Sequence, residues 1–308
     1  MSKSIFRPGA LALITGSASG VGYAFAAHCR WQGMNLALLD INADSLSKAH
    51  STLDTISSQG NATVKTYPVD VSDHAAWLTV RDSLTTDFPD SNGAIDFLLL
   101  NAGRSVKPTT TQPWEDIDYF QKTLATNLLG VINGLGVLLP LVQKSAGPAA
   151  IVLTGSKQGI TNPPGNPAYN ASKAAVKSLA EQLAHSLRTP GNPSYAPHVS
   201  AHLLVPGWTF TGLSGNAGPV ADEVARKKKP KGAWLGSQVA EYGVRKIEEG
   251  AFYVIVPDED VDEALDQARV TWAAADITEG RSALSRWDDE WKGRAAEWIK
   301  GDAERRRK

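Results

Sequence analysis

The chain has 308 residues, of which 42% are hydrophobic and 20% are charged, and its formal net charge is -1. This near-neutral balance provides no broad attraction to nucleic acid or to an anionic membrane, so we expect neither as a partner. The single cysteine, Cys29, excludes an intramolecular disulfide and fits a reducing compartment, which favours a cytoplasmic location. The N-terminal stretch has no long apolar region with a cleavage site, and no stretch approaches about 18 uninterrupted apolar residues. We therefore expect no signal peptide and no membrane span.

Short apolar runs alternate with longer helical patterns along most of the chain. Some runs, such as IDFLLL and AAIVLT, are apolar on both faces, as strands of a buried parallel sheet must be. The helical patterns between them include a polar helix to about Gln59, one from about Asp73 and a long one to about Lys144. The pattern predicts an α/β fold, a Rossmann-type doubly wound parallel sheet of about seven strands. The seven runs, in chain order, are ALALIT, MNLALLD, ATVKTYPVD, AIDFLLLNAG, AAIVLTGS, VSAHLLVPG and GAFYVIVP.

The sequence gives no linker that would divide these strands between two domains. We expect residues 1–257 to form one dinucleotide-binding catalytic domain, in which residues 208–236 form a loop or lid over the carboxyl edge of the sheet. Residues 258–308 read as a helical C-terminal extension packed on the same domain. Three tryptophans of this extension are spaced for one helix face, which predicts packing in the core or in a subunit interface. They are Trp287, Trp291 and Trp298.

A glycine-rich turn, ITGSASGVG, follows the first strand and opens a helix. At such a place the backbone N–H groups and the helix dipole together bind a pyrophosphate. The glycines are Gly16, Gly20 and Gly22, with Ser19 and Val21 between them, whereas the fingerprint G-x-G-x-x-G would require glycine where Phe25 stands. The placement between strand and helix favours a dinucleotide site over a simple tight turn.

The second strand ends in Asp40, roughly 20 residues beyond the glycines, where a carboxylate can accept hydrogen bonds from an adenosine ribose. The same charge would repel a 2′-phosphate, and the following residues, INADS, contain no compensating cation. We therefore expect NAD to be preferred and NADP to be less suitable. The alternative is that Asp40 only caps the next helix.

Several motifs together resemble the classical short-chain dehydrogenases/reductases. They are TGSASGVG, DV at 70–71, NAG at 101–103, ATNLLG, LTGSKQG, YNASK and PGWTFT, and they span residues 10 to 211 in the family's order. The resemblance implies a catalytic tetrad of Asn127, Ser156, Tyr169 and Lys173. It also implies that a further set of residues contacts the dinucleotide, from the adenine to the nicotinamide. These are Asp70, Val71, Asn101, Ala102, Gly103, Tyr169, Lys173, Pro206, Gly207 and Thr211.

Elementary chemistry agrees with these roles. Oxidation of a secondary alcohol requires a base at the hydroxyl oxygen while a hydride leaves carbon. Tyr169 and Lys173 are four residues apart on a predicted helix and can interact. To lower the pKa of a tyrosine by about three units takes about 4 kcal/mol, which we expect from the Lys173 ammonium and an oxidised nicotinamide. Ser156 would hold the substrate oxygen, and Asn127 would position water for the proton's route to solvent.

Other classes of function fit less well. TGSKQ around Ser156 is not the G-x-S-x-G of a hydrolase, and no Walker A motif is present. His198 and His202 are more typical of strand residues than of metal ligands, and we expect no metal. The basic run at 225–232 is typical of a solvated surface rather than of a nucleic-acid site. The alternatives are a retired enzyme that binds the dinucleotide and acts as a sensor or scaffold, and an NADP-dependent carbonyl reductase of the same family.

The substrate is less clearly indicated than the reaction. Trp208, Phe210 and Trp234, with Leu213, suggest an apolar and aromatic lid, which favours a hydrophobic or aromatic alcohol or ketone. Arg104 could instead receive an anionic group, or could be a solvated loop residue. We expect a homo-oligomer, with a dimer favoured over a tetramer because the extension could cover the surfaces that a tetramer uses.

Overall fold

The computed structural model describes residues 4–56, 62–214 and 218–308. Seven parallel strands form one sheet in the order β3-β2-β1-β4-β5-β6-β9, which confirms the predicted Rossmann-type arrangement. The order reverses between β1 and β4, so a crevice opens there at the carboxyl ends of the strands. The strands are β1 (Leu11–Thr15), β2 (Asn35–Asp40), β3 (Val64–Pro68), β4 (Phe97–Leu100), β5 (Ala149–Thr154), β6 (Val199–Val205) and β9 (Tyr253–Ile255).

Helices cover both faces of the sheet, and several begin at residues whose side chains cap the helix. Asn42, Asp73 and Asn166 each accept a hydrogen bond from a backbone N–H of the first turn. The helices of the catalytic region are α1 (Gly20–Trp31), α2 (Ala43–Asp54), α3 (His74–Asp87), α4 (Ile117–Leu124), α5 (Gly130–Gln143), α6 (Gln158–Thr161), α7 (Pro167–Arg188), α8 (Asp222–Lys228) and α9 (Gly236–Glu248). The polar helix predicted to reach Gln59 ends at Asp54, and residues 57–61 lie outside the described residues.

The core consists of two apolar layers, one on each face of the sheet. Trp77 of α3 is fully buried in one layer, where its indole N–H donates to the carbonyl of Val71 at 2.8 Å. Phe25 of α1 and Phe97 of β4 stack in the other layer with ring centroids 5.9 Å apart. Because both faces are covered, the central strands are apolar along their whole length, as the sequence predicted.

The helices α4 and α5 are continuous through a π-helical turn, Ala125–Leu129. Within the described ranges this run, Ile117–Gln143, is the one helix that is long and apolar enough to cross a membrane by length and composition. Core helices of soluble proteins pass the same test, and this helix packs against α3 and α7. The absence of a membrane partner remains a prediction.

The predicted lid contains more regular structure than its sequence suggests. Two short strands, β7 (Thr209–Phe210) and β8 (Trp234–Leu235), pair in parallel on either side of α8. The N–H of Trp234 donates to the carbonyl of Trp208 at 2.8 Å. Residues 215–217 of the lid lie outside the described residues.

The C-terminal extension folds into two helices, α10 (Glu263–Thr278) and α11 (Lys292–Arg306), around a small apolar cluster of their own. Here the predicted tryptophan stripe is wrong. Trp287 lies in a 3₁₀ turn and Trp291 precedes α11, because the chain turns sharply after Leu284, which has a left-handed backbone. Trp298 packs instead on Trp272 of α10, with ring centroids 5.5 Å apart.

Candidate active site

A cavity of about 870 Å³ lies at the carboxyl ends of the strands and gathers most of the predicted residues. It joins the glycine turn at one end to the first turn of α7 at the other. The predicted cofactor residues that line it are Gly16, Ser19, Gly20, Val21, Asp40, Asp70, Val71, Asn101, Ala102, Gly103, Tyr169, Lys173, Pro206, Gly207 and Thr211, and Ser156 and Trp208 line it as well. Gly22 and Asn127 stand behind this surface.

The glycine turn is closely packed and leaves no room for side chains. Gly16 and Gly20 have left-handed backbones, with φ of 64° and 54°. A β carbon at Gly22 would lie 2.2 Å from the carbonyl oxygen of Gly16, so any side chain there would displace the turn. Thr211 lies directly against Gly20, where a β carbon would meet that of Thr211 at 2.8 Å. Gly20 and Val21 at the start of α1 also line the cavity, where an anion could meet their backbone N–H groups.

Asp40 connects the end of β2 to this turn. Its two carboxylate oxygens accept hydrogen bonds from the N–H of Ala18 at 3.1 Å and from the N–H of Asn42 at 3.0 Å. The cap of α2 is Asn42, whose side chain accepts from the N–H of Ser45, so Asp40 is not the helix cap. Its carboxylate lies at the cavity wall, where a ribose could meet it.

The walls beside the turn are fixed by residues at the ends of three neighbouring strands. Asn101 donates through Nδ2 to the carbonyl of Thr15 at 3.2 Å and accepts from the hydroxyl of Thr154 at 3.2 Å, so it ties β4 to β1 and β5. Val71 is buried against Gly130, where a β carbon would approach the Val71 side chain to 2.6 Å. Asp70 is exposed and accepts hydrogen bonds from Ser72.

Tyr169 and Lys173 lie together in the first turns of α7, as their spacing predicted. The Lys173 Nζ is 5.8 Å from the centre of the Tyr169 ring and donates to the carbonyl of Thr154 at 2.8 Å. Lys173 is only 4% exposed, and burial lowers its pKa to about 8. Gly159 of α6 lies so close to Lys173 that a β carbon there would be 2.5 Å from its backbone. The ammonium is therefore held in one place.

The phenol does not follow the expected direction. Burial raises the pKa of Tyr169 above its ordinary value, and a hydrogen bond with Ser156 opposes the rise. The protein's own groups, Lys173 included, therefore do not make Tyr169 acidic, which corrects the part of the expectation that rested on the lysine. A lowered pKa would have to come from an additional positive charge near the phenol.

Asn127 is fully buried in the π-helical turn, and its amide is occupied by protein partners. Its Oδ1 accepts from the N–H of Arg104 at 2.8 Å, and its Nδ2 donates to the carbonyl of Arg104 at 3.0 Å. Nδ2 also lies 3.1 Å from the Ser172 hydroxyl. Both backbone groups of Arg104 are therefore held by one side chain, and π-helical turns are frequent at functional sites. The predicted role of Asn127 in positioning water remains a prediction.

The substrate side of the cavity differs from the expected aromatic lid. Trp208, which is 50% exposed, and Leu213 line the cavity. Phe210 and Trp234 do not. Phe210 is buried in a small cluster of the lid, and Trp234 packs edge-on against Tyr242 with centroids 6.3 Å apart. These packing partners keep the two rings out of the cavity wall.

Polar residues that the sequence did not single out take their place. Ser105, Lys157, Gln158 and Asn166 line the cavity beside Arg104. Gln158 donates its backbone N–H to the Ser156 hydroxyl at 3.2 Å. Lys157 and Gln158 lie within the motif LTGSKQG, whereas Ser105 lies shortly after NAG and Asn166 shortly before YNASK. Their places in the sequence were the only indication of a role in the site.

Of the two histidines considered as metal ligands, His198 is exposed and His202 is buried among structural partners. The ring nitrogens of His202 are 2.7 Å from the Ser200 hydroxyl and 2.7 Å from the carbonyl of Ala251. No group of three or more metal-binding side chains occurs among residues 4–56, 62–214 and 218–308.

Comparison with known proteins places this geometry in a family. Residues 10–220 match the family model of the short chain dehydrogenases. A 2-dehydro-3-deoxy-L-rhamnonate dehydrogenase (NAD(+)) of Sphingomonas sp. is 33% identical over 57% of this chain and 67% of its own. An NADP-dependent (R)-specific alcohol dehydrogenase of Lentilactobacillus kefiri is 29% identical over 57% of this chain and 66% of its own.

A solved structure extends the likeness to most of the fold. The short chain dehydrogenase/reductase of Burkholderia phymatum, in complex with NAD, is 29% identical, with a TM-score of 0.72 over 89% of this chain and 96% of its own. Relatives thus include proteins named for either dinucleotide. This chain belongs to the short-chain dehydrogenase/reductase family of oxidoreductases.

Proposed function

We propose that this protein transfers a hydride between NAD(H) and a secondary alcohol or ketone. The observation that carries the proposal is the convergence of Ser156, Tyr169 and Lys173 on the same cavity as the glycine turn. A sensor or scaffold that only binds a dinucleotide has no need of a phenol and a buried ammonium together. The family membership supports the reaction class.

The cavity fits a dinucleotide. Gly20 and Val21 at the start of α1 line the cavity, so their backbone N–H groups can hold a pyrophosphate there. The carboxylate of Asp40 at the cavity wall favours a free ribose 2′-hydroxyl over a 2′-phosphate, because like charges repel. Asp40 therefore supports NAD as the preferred dinucleotide.

The proton step belongs to Tyr169 and its neighbours. In oxidation the phenolate of Tyr169 takes the proton from the substrate hydroxyl, while the Ser156 hydroxyl donates a hydrogen bond to the oxygen as charge develops on it. In reduction the Tyr169 hydroxyl donates that proton back to the oxygen. A bound oxidised nicotinamide supplies the hydride acceptor and a positive charge near the phenol. Lys173, fixed between Thr154 and the Tyr169 ring, supplies the second positive charge.

The pKa directions give the proposal a pH dependence. The phenolate of Tyr169 that oxidation needs becomes more abundant as pH rises, so kcat/KM for oxidation should increase with pH. Because burial raises the pKa of Tyr169, this increase should extend to high pH. The protonated phenol needed for reduction declines over the same range, so ketone reduction should be faster at lower pH. Opposite slopes in the two directions are the expected result, and parallel slopes would assign the acid/base group elsewhere.

We further propose that the substrate carries an apolar or aromatic part that contacts Trp208 and Leu213, which are both exposed to the cavity. A second candidate is a substrate with an anionic group. Arg104 favours it, because this arginine lines the cavity and Asn127 holds both of its backbone groups. A guanidinium on a fixed loop is well suited to a carboxylate.

The first experiment is a titration of the purified protein with NADH and NADPH, followed through quenching of tryptophan emission. Tight NADH with weak NADPH is the expected result, and a preference for NADPH would overturn the argument from Asp40. Binding of either dinucleotide without turnover of any alcohol or ketone would favour the non-catalytic alternative.

Matched substrates then separate the two candidates. Oxidation of 1-phenylethanol is compared with that of mandelate, in which a carboxylate replaces the methyl group, in the wild type and in Arg104→Gln. An apolar pocket predicts faster oxidation of 1-phenylethanol and little effect of the substitution. A preference for mandelate that Arg104→Gln abolishes would establish the anionic substrate.

Size-exclusion chromatography tests the proposed homodimer.

A further inference from the structure

Two acidic residues at the start of the C-terminal extension bind a lysine of the active-site cavity. The Nζ of Lys157 lies 2.6 Å from Asp266 of α10 and 3.3 Å from Asp258 in the preceding loop. Lys157 follows Ser156 directly in sequence and lines the cavity. The extension therefore reaches the residue next to the serine to which we assign the substrate oxygen.

These charges are largely withdrawn from water. The side chains of Lys157, Asp258 and Asp266 are 18%, 9% and 5% exposed. Buried ion pairs add little net stability, because the loss of hydration offsets most of the attraction. Removal of one partner is nevertheless strongly destabilising, since it leaves the other charge buried and unpaired, so the three side chains resist separation.

Lys157 belongs to a short segment that contacts two of the proposed catalytic residues, Ser156 and Lys173. It begins the turn that leads into α6, and the backbone N–H of Gln158 holds the Ser156 hydroxyl at 3.2 Å. One residue further on, Gly159 lies against the backbone of Lys173. A shift of Lys157 would therefore displace the segment that contacts Ser156 relative to α7, the helix that carries Lys173.

Asp258 extends the same connection to the other side of the cavity. Its Oδ2 accepts a hydrogen bond from the N–H of Trp208 at 3.2 Å. A β carbon at Gly207 would lie 2.6 Å from that oxygen and 2.8 Å from the Lys157 Nζ. The ammonium, the carboxylate and the turn 206–208 thus meet at one point, which only glycine at 207 permits.

We propose that Asp258, Lys157 and Asp266 form a clamp through which the C-terminal extension positions Ser156 and the turn 206–208 at the substrate side of the cavity. Lys157 is a positioning residue, because it acts through Ser156 and Gly207. The effect on turnover rests on the proposed function. The effect on the positions of Ser156 and of the turn 206–208 does not depend on that function.

The test compares Asp266→Asn with Asp302→Asn. Both remove a carboxylate charge from the extension, but Asp302 binds Arg305 and Arg306 of α11 and has no contact with the cavity. Hydrogen exchange of residues 156–161 and 206–211, NADH affinity, and kcat and KM are measured for each variant. For Asp266→Asn we expect faster exchange in both segments, a fall in kcat of about 10-fold or more, and NADH affinity within about 2-fold of the wild type. Asp302→Asn should change none of these.

Further variants make the result specific. Lys157→Met should reproduce the faster exchange and the loss of kcat, and Lys157→Arg, which keeps the charge, should recover part of both. If Lys157→Met does not fold, Asp266→Asn and Lys157→Arg decide the matter. Unchanged exchange in Asp266→Asn, or faster exchange with unchanged kcat, would overturn the clamp. A wild type that turns over no alcohol or ketone would overturn the proposed function, and the exchange comparison alone would then decide the clamp.

Discussion

Two buried cations, one in the active site and one in the C-terminal extension, are held in different ways. Lys173 is 4% exposed, and within the described part of the chain no carboxylate lies within 4.0 Å of it, so its partner is the carbonyl of Thr154. The side chain of Arg281 is also 4% exposed, but it pairs with Asp276 at 2.9 Å and lies 3.8 Å from the centre of the Trp272 ring.

Under the proposed function, the difference separates a charge that acts in the reaction from a charge that stabilises the structure. An ammonium without a counter-ion is costly to bury, which is why burial lowers the pKa of Lys173 from 10.5 to about 8. That shift corresponds to about 3 kcal/mol of destabilisation in neutral solution. In exchange, its positive charge is not neutralised before it can act on a phenolate. Arg281 is neutralised and stacked, so it can only stabilise the extension.

The largest effect should come from the phenol that Lys173 serves. Tyr169→Phe removes the acid/base hydroxyl and little else, so we expect kcat to fall by about 10³-fold while NADH affinity stays within about 2-fold. Stopped-flow turnover and fluorescence titration measure the two quantities. Substantial remaining turnover would show that another group is the base. The buried charge of Lys173 would then have no proposed role in the reaction.

The next effect concerns the structural charge. Arg281→Met leaves Asp276 largely buried without its partner and removes the stacking on Trp272, so the free energy of unfolding should fall by about 3 kcal/mol. Urea unfolding followed by tryptophan emission measures it. A change below about 1 kcal/mol would mean that the ion pair is not what holds α10 to the turn before α11.

The corresponding change in the active site should have the opposite sign. Lys173→Met removes a positive charge that the proposed function uses, so turnover should be lost. It also removes the cost of burying that charge, so after loss of the hydrogen bond to Thr154 the free energy of unfolding should rise by about 2 kcal/mol and Tm by a few degrees at pH 7. The wild type bears the full cost below about pH 8, where Lys173 is charged in both the folded and the unfolded states. The cost declines as pH rises towards 10.5, so the difference in Tm should narrow between pH 7 and pH 9. A lower Tm for the variant at pH 7 would contradict the assigned cost of burial.

The smallest effect belongs to an exposed pair. Lys122 and Asp118 of α4 lie 3.2 Å apart, with side chains 56% and 73% exposed. Lys122→Met should change Tm by less than about 2 °C, because water screens such pairs. A larger fall, measured by differential scanning calorimetry, would mean that the burial of a charged side chain does not determine how strongly its loss changes stability.

The sheet, the glycine turn and the proximity of Tyr169 to Lys173 could all be predicted from the amino-acid sequence. Strands buried on both faces are continuous apolar runs, and the spacing of Tyr169 and Lys173 places them one helical turn apart wherever the helix lies. Such features depend on residues close together in the chain. The glycines of the turn could be recognised because a strand and a helix flank them directly.

Other features depend on which distant segments meet in the folded chain. Phe210 is buried in the lid and Trp234 packs on Tyr242, so neither ring lines the cavity, and a sharp turn after Leu284 breaks the tryptophan stripe. Asn127 holds Arg104, and Lys157 meets Asp258, which is 101 residues away in the chain. Each of these contacts has at least one partner, Arg104 or Asp258, in a loop that has no hydrophobic periodicity. Their partners are chosen by burial and charge in three dimensions, which residue spacing does not encode.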